Sequence, residues 1–176
     1  MTTAYTCHSC GESHDDLPRT FAAPAPDLYY QVPEAEREER APLNTDLCVI
    51  DETYFFVRAN LDVPILGEEG EGGDGAVFSW GIWVSLSDTS FDRMCEIWEK
   101  LGRESEPHCF GWLSTSLPGY PETNPLKTHV HYRPLGERPS LQLEPTDHPL
   151  AVEQRTGITP ERAREIAERL LHDLSD

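Results

Sequence analysis

The sequence has 176 residues and a formal net charge of −18, from 14 Lys and Arg against 32 Asp and Glu. Such a chain is a poor ligand for nucleic acid or an anionic membrane, since both are bound chiefly by Lys and Arg neutralising phosphates. No apolar run approaches the roughly 18 residues of a membrane span, and Met1 to His14 has neither a basic start nor an apolar stretch, so a cytoplasmic protein is expected. The length suits a single domain over residues 1–176, with a knuckle and a Pro- and acid-rich arm over 1–44 and an α+β core over 45–176.

The most specific local pattern comes first, in Cys7-His8-Ser9-Cys10-Gly11, with His14 following. Two cysteines at this spacing, with glycine after the second, suit a tight turn whose thiolates converge on a tetrahedral ion, most often zinc. The pair supplies half a site. His14 is the nearest third ligand, and Cys48, His129, His131 or His148 can complete it through folding. A second Cys-x-x-Cys pair, the mark of a strong zinc sequence, is missing. Two reduced thiols, or a redox pair, remain the alternatives, although redox pairs open a helix after a strand and no strand signal stands ahead of Cys7.

Residues 15–44 carry Pro18, Pro24, Pro26, Pro33 and Pro42 and a charged run from Glu34 to Arg40. Pro33 suits the start of a short helix, and the rest reads as extended surface chain. Leu47 to Ile50 is a short apolar strand, and Asp51-Glu52 turns the chain into a longer one. There Phe55, Val57, Ala59, Leu61, Val63 and Ile65 share one face. The acidic glycine segment from Gly67 to Gly75 reads as a flexible connector. Beyond it, Ala76, Phe78, Trp80, Ile82, Val84 and Leu86 line one face of the next strand, with Trp83 on the other. The two strands predict an antiparallel sheet with one face on a core and the other partly solvated.

A helix follows, capped by Thr89 or Ser90, with Phe91, Met94, Cys95, Trp98 and Leu101 at helical spacing and Gly102 as its stop. Shorter strands are expected at Cys109 to Thr115, Lys127 to Arg133 and Ser140 to Leu143. In the closing helix Thr159 caps, Pro160 takes the first position, and Ala163, Ile166, Ala167, Leu170, Leu171 and Leu174 form an apolar stripe. The fold class is therefore α+β, an antiparallel sheet flanked by helices, with an N-terminal metal knuckle and a C-terminal helix.

Outside the knuckle, His129 and His131 flank Val130, so both rings share a strand face with Lys127 and Arg133. That stripe suits an exposed sheet face, an anion or substrate site, or a second metal site. Asp147-His148 sets a carboxylate beside an imidazole in a proline-bounded turn, where Thr146 or Asp147 can also simply cap a helix over Pro149 to Arg155. Trp83, on a face otherwise made of Ser and Gly, and Trp112, in a proline-ordered loop, are where a pocket is sought first; core support is the plainer role for Trp83. Cys48, Cys95 and Cys109 also fit as small buried hydrophobes. No nucleophile elbow, phosphate loop or dinucleotide fingerprint appears, so no catalytic residue is assigned.

These residues together resemble a bacterial domain family of unknown function, almost from end to end. The resemblance is carried by Tyr5-Thr6-Cys7-His8-Ser9-Cys10-Gly11-Glu12 with His14, Asp46-Leu47-Cys48-Val49-Ile50-Asp51, Phe55-Phe56-Val57-Arg58, Trp80 to Ser87, Phe110-Gly111-Trp112-Leu113 and Leu143 to Ala151. It implies one domain and supplies no catalytic residues, and the Gly67 to Gly75 segment is where this chain departs from it. The reading that follows is a binding or adaptor domain with a structural zinc site. Its alternatives are a metal-assisted hydrolase using His129 and His131, and an acidic immunity-type inhibitor of a basic protein.

Overall fold

The computed structural model describes residues 5–7, 10–11, 13–14, 18–69 and 75–173. Its centre is a long hairpin. Strands β5 (Tyr54–Glu69) and β6 (Gly75–Leu86) pair antiparallel in a register that runs from Phe55↔Leu86 to Pro64↔Val77. Alternation sets Val57, Ala59, Leu61 and Val63 across from Val84, Ile82, Trp80 and Phe78, and each of these is 0 % exposed.

Three further strands close this hairpin into a barrel. β7 (Cys109–Leu113) pairs with β6, β8 (Lys127–His131) with β7, and β9 (Ser140–Leu143) with β8, all antiparallel. β9 then returns to β5 in parallel at Asn60↔Ser140, where the Asn60 N–H donates to Pro139 O at 2.9 Å. Leu113, Val130, Leu141 and Leu143 complete the buried interior. β4 (Leu47–Ile50) extends β5 antiparallel and β3 (Thr20–Ala22) extends β6 in parallel. A separate ribbon pairs β1 (Tyr5–Thr6) with β2 (Ser13–His14).

The expected antiparallel sheet with one solvated face is thus corrected to a closed five-stranded barrel of mixed strand direction within an α+β fold. Strand twist accumulates along 16 residues of β5 and 12 of β6 and curls the sheet until its edges meet. Period-two alternation reports which side chains are dry, and it is the same for a sheet face and a barrel interior.

The arm is also corrected. Residues expected to be surface chain provide β3 and bury Ala23, Ala25, Val32 and Ala41. They are held mainly by backbone bonds, the Ala23 N–H to Gly81 O at 2.9 Å, the Ser79 N–H to Arg19 O at 2.8 Å and the Asp27 N–H to Ser114 O at 3.0 Å. Pro33 precedes a 3-10 turn, Glu34–Glu36, that runs into α1 (Arg37–Arg40). At the glycine segment, β5 continues through Gly67 and Glu68 to Glu69, and residues 70–74 lie outside those described.

α2 spans Asp88–Ile97 and is capped by Ser87, whose hydroxyl accepts from the Ser90 N–H at 3.2 Å, not by Thr89 or Ser90. It buries Phe91, Met94 and Ile97, ends before Gly102, and leaves Leu101 81 % exposed. α3 spans Pro149–Thr156. α4 (Pro160–Asp173) begins as read, with Thr159 Oγ1 accepting from the Arg162 N–H at 3.2 Å, and buries Ala163, Ile166, Ala167 and Leu170; Leu174 lies outside the described residues. No helix among the described residues is long and apolar enough to cross a membrane.

Closure demands one close approach. A Cβ on Gly111 in β7 would sit 2.6 Å from Val84 Cγ2 and 2.8 Å from Ser85 O. Because one obstacle is backbone, Gly111→Ala should destabilise the protein by about 1–3 kcal/mol through overpacking. Urea denaturation at equilibrium reads this directly, and an unchanged midpoint would mean that β6 and β7 are not this close.

Candidate metal centre

The β1–β2 ribbon sets Tyr5 opposite His14 and Thr6 opposite Ser13, so Cys7 and Cys10 occupy the turn between two paired strands. Gly11 takes φ 74°, a left-handed conformation that glycine adopts without strain, and its N–H donates to Cys7 O at 2.9 Å. This closes the tight turn that the Cys-x-x-Cys-Gly pattern requires. Cys7 is buried at 1 % exposure and Cys10 is exposed.

The third group comes from the far end of the chain. His172, half-buried in the last turn of α4, brings Nε2 to 3.2 Å from Cys7 Sγ. The ligand atoms of Cys7, Cys10 and His172 all lie within 4.8 Å of one another, the one such group among the described residues. A tetrahedral zinc with Zn–S of about 2.3 Å and Zn–N of about 2.1 Å holds its ligand atoms roughly 3.6–3.8 Å apart. Shifts of no more than about 1 Å therefore bring these three onto one ion, with Cys7 Sγ and His172 Nε2 moving slightly apart and any longer separation contracting.

α4 is held in place by contacts of Arg162, about three turns before His172. Arg162 Nε donates to Glu153 Oε1 of α3 at 2.9 Å, its guanidinium lies 5.4 Å from the Tyr120 ring centroid, and the Tyr120 hydroxyl donates to Glu153 Oε2. Burial, reinforced by the Glu153 carboxylate, pushes the Tyr120 phenol well above its ordinary range, so it remains a donor. A cleft of about 360 Å³ lined by Arg162, Glu165, Glu168, Arg169 and His172 runs along this helix beside the centre.

Of the ligands named from sequence, Cys7 and Cys10 are in this group and Cys48 is not. Cys48 is fully buried in β4. The backbone of His14 pairs with Tyr5, and its side chain lies outside what is described. His172 was missed: nothing in its spacing distinguishes it from the polar side of an amphipathic helix, and only folding brings it across 165 positions to Cys7.

The other candidate residues are distributed around the barrel. His129 and His131 project from the outer face of β8 and meet the ring of His108. Arg133 pairs with Glu137 at 2.6 Å on a polar cleft of about 780 Å³ that also takes in Asp46, Asn60, Asp62 and Arg138. The charges there are largely satisfied internally: Arg138 donates to Asp46 at 2.6 Å, and Asp62 accepts from Ser79 Oγ at 2.6 Å. Asp147 is exposed, whereas His148 caps α3, its Nδ1 accepting from the Leu150 N–H at 3.2 Å. The other nitrogen, Nε2, then carries the proton and donates to Glu122 O at 3.1 Å. Trp83 is fully buried and donates through Nε1 to Ala23 O at 2.9 Å. Trp112 is 40 % exposed beside Phe110, with Lys127 Nζ 5.8 Å from its ring centroid.

Burial pushes the Cys48 thiol from 9.0 up to about 11. A thiol harder to ionise in the folded state contributes stability that is complete below pH 9 and is withdrawn as pH rises through about 11. The melting temperature of wild type should therefore fall more steeply than that of Cys48→Ala across this window. Parallel melting curves in a pH series would show Cys48 not to be buried as a neutral thiol.

No curated protein and no solved structure matches this chain. A family model matches residues 6–158, which takes in both cysteines of the centre and stops short of α4 and His172. The chain belongs to that family, described as an uncharacterized protein conserved in bacteria (DUF2199).

Proposed function

We propose that this chain is a single-domain intracellular binding or adaptor protein in which Cys7, Cys10 and His172 hold a structural zinc ion. The observation that carries the reading is the convergence of a Cys-x-x-Cys turn and an imidazole from the last turn of α4 within 4.8 Å. Two thiolates and one imidazole are the donors that zinc favours, and a reducing compartment keeps them available. His14, next to the turn in sequence, is the fourth ligand in this reading. The ion ties a ribbon with little apolar surface to a helix that packs on the barrel, a task the ribbon's own two-residue strands are too short to accomplish.

Binding rather than catalysis suits a chain with no recognisable nucleophile, phosphate loop or dinucleotide motif. Its charge of −18 disfavours phosphate-bearing partners and favours a basic protein surface, with an attraction that weakens in salt.

Zinc that binds only the folded state stabilises it by about 4 kcal/mol when free metal is a thousandfold above its dissociation constant. Tag-free protein purified under reducing conditions should carry close to one equivalent of zinc by elemental analysis. Cys10→Ser and His172→Ala should each lose most of it, melt lower and expose residues 1–42 to protease, while Cys48→Ala keeps the metal. If a chelator alters neither the melting temperature nor cleavage within residues 1–42 of wild type, the zinc reading is wrong.

A further inference from the structure

We propose that His108, His129 and His131 form a second site, for a divalent late transition metal, on the outer face of the barrel. Pairing of Cys109 with Val130 places His108 across from His131 and diagonal to His129, with all three rings on the side facing away from the interior. The His108 ring centroid lies 4.9 Å from that of His129 and 4.9 Å from that of His131. Imidazoles sharing one tetrahedral ion at a metal–nitrogen distance of about 2.1 Å have ring centres roughly 5 Å apart. The His108 ring thus stands between the other two, at a centroid distance of 4.9 Å from each, and bridges the roughly 7 Å of strand between them.

The surrounding groups select which nitrogen is available. His131 Nε2 is 3.1 Å from Gln142 Oε1, and because an amide oxygen only accepts, Nε2 holds the proton and Nδ1 the lone pair. Glu144 Oε1 lies 3.4 Å from His129 Nε2 and favours a proton there as well. The remaining nitrogen of His129, Nδ1, is buried and has no hydrogen-bond partner. A ligating histidine is ordinarily arranged in this way, one nitrogen fixed by a carboxylate or amide oxygen and the other free for the metal. The nitrogens are less tightly gathered than the atoms of the Cys7 centre; the ion draws the rings together by side-chain rotation, which His108 at the exposed surface permits without moving the strands.

Imidazole donors suit zinc, nickel and copper(II) and not magnesium or calcium, and the charge of −18 attracts any cation to the surface. This site shares no residue with the cysteine centre, so either can fail without the other. The test is calorimetric titration of chelator-stripped, tag-free full-length protein with Ni²⁺. A binding event kept in Cys10→Ser and weakened about tenfold or more in both His108→Ala and His131→Ala is the expected result. Circular dichroism checks that the histidine variants remain folded. A Ni²⁺ titration that His108→Ala and His131→Ala leave unchanged overturns the proposal, as does wild-type protein that binds no Ni²⁺ beyond what Cys10→Ser abolishes.

Discussion

Along the β5–β6 ladder Val57, Ala59, Leu61 and Val63 meet Val84, Ile82, Trp80 and Phe78 with no solvent between them. A slip of one residue would turn all of these side chains outward, at a cost of about 1.5–3 kcal/mol for each large one, so the slipped register is strongly disfavoured. The other elements inherit their positions from this constraint. β6 carries β3 and β7, β5 carries β4 and accepts β9, and α2, α3 and α4 pack against β5. Through α4 the same ladder fixes where His172 stands, and through β7 and β8 it fixes the face on which the other histidines meet.

Much of this was legible in the residues. Alternation located both long strands and assigned their dry faces, and Thr159 with Pro160 marked the start of α4 because the hydroxyl accepts from one unpaired N–H of the first turn and the proline, lacking an N–H, removes another. Closure was not legible. Asn60 pairs with Ser140 in parallel through backbone atoms alone, and no side chain advertises that contact. The arm failed for the same reason: it is anchored by its amides and carbonyls on Gly81, Ser79 and Ser114, while its side chains look like those of solvated chain. At Ser87, a hydroxyl three residues before the Ser90 N–H outcompeted the two later hydroxyls as the cap.

The candidate centre divides along the same line. Cys7 and Cys10 are neighbours in sequence, so their chemistry can be read from spacing, whereas His172 joins them only in space. His108 illustrates the intermediate case, since a strand pairing of known register would have set it beside His131, but the register itself was not available from periodicity. Cys48 is the converse: a cysteine in an apolar strand serves either as ligand or as packing, and its complete burial in β4 assigns it to packing.

The contact between Cys7 and His172 spans 165 positions, and that separation has a consequence for the newly made chain. At ordinary rates of synthesis, on the order of ten seconds or more passes between the appearance of the two cysteines and that of the histidine. Throughout that interval the pair is a dithiol without its imidazole, open to oxidants, to other metals and to scavenging thiols in the cell. The barrel must close and α4 must dock before the three groups can meet. The three groups therefore cannot meet until synthesis has passed residue 172, and a chain cut short before it would hold Cys7 and Cys10 without the His172 imidazole.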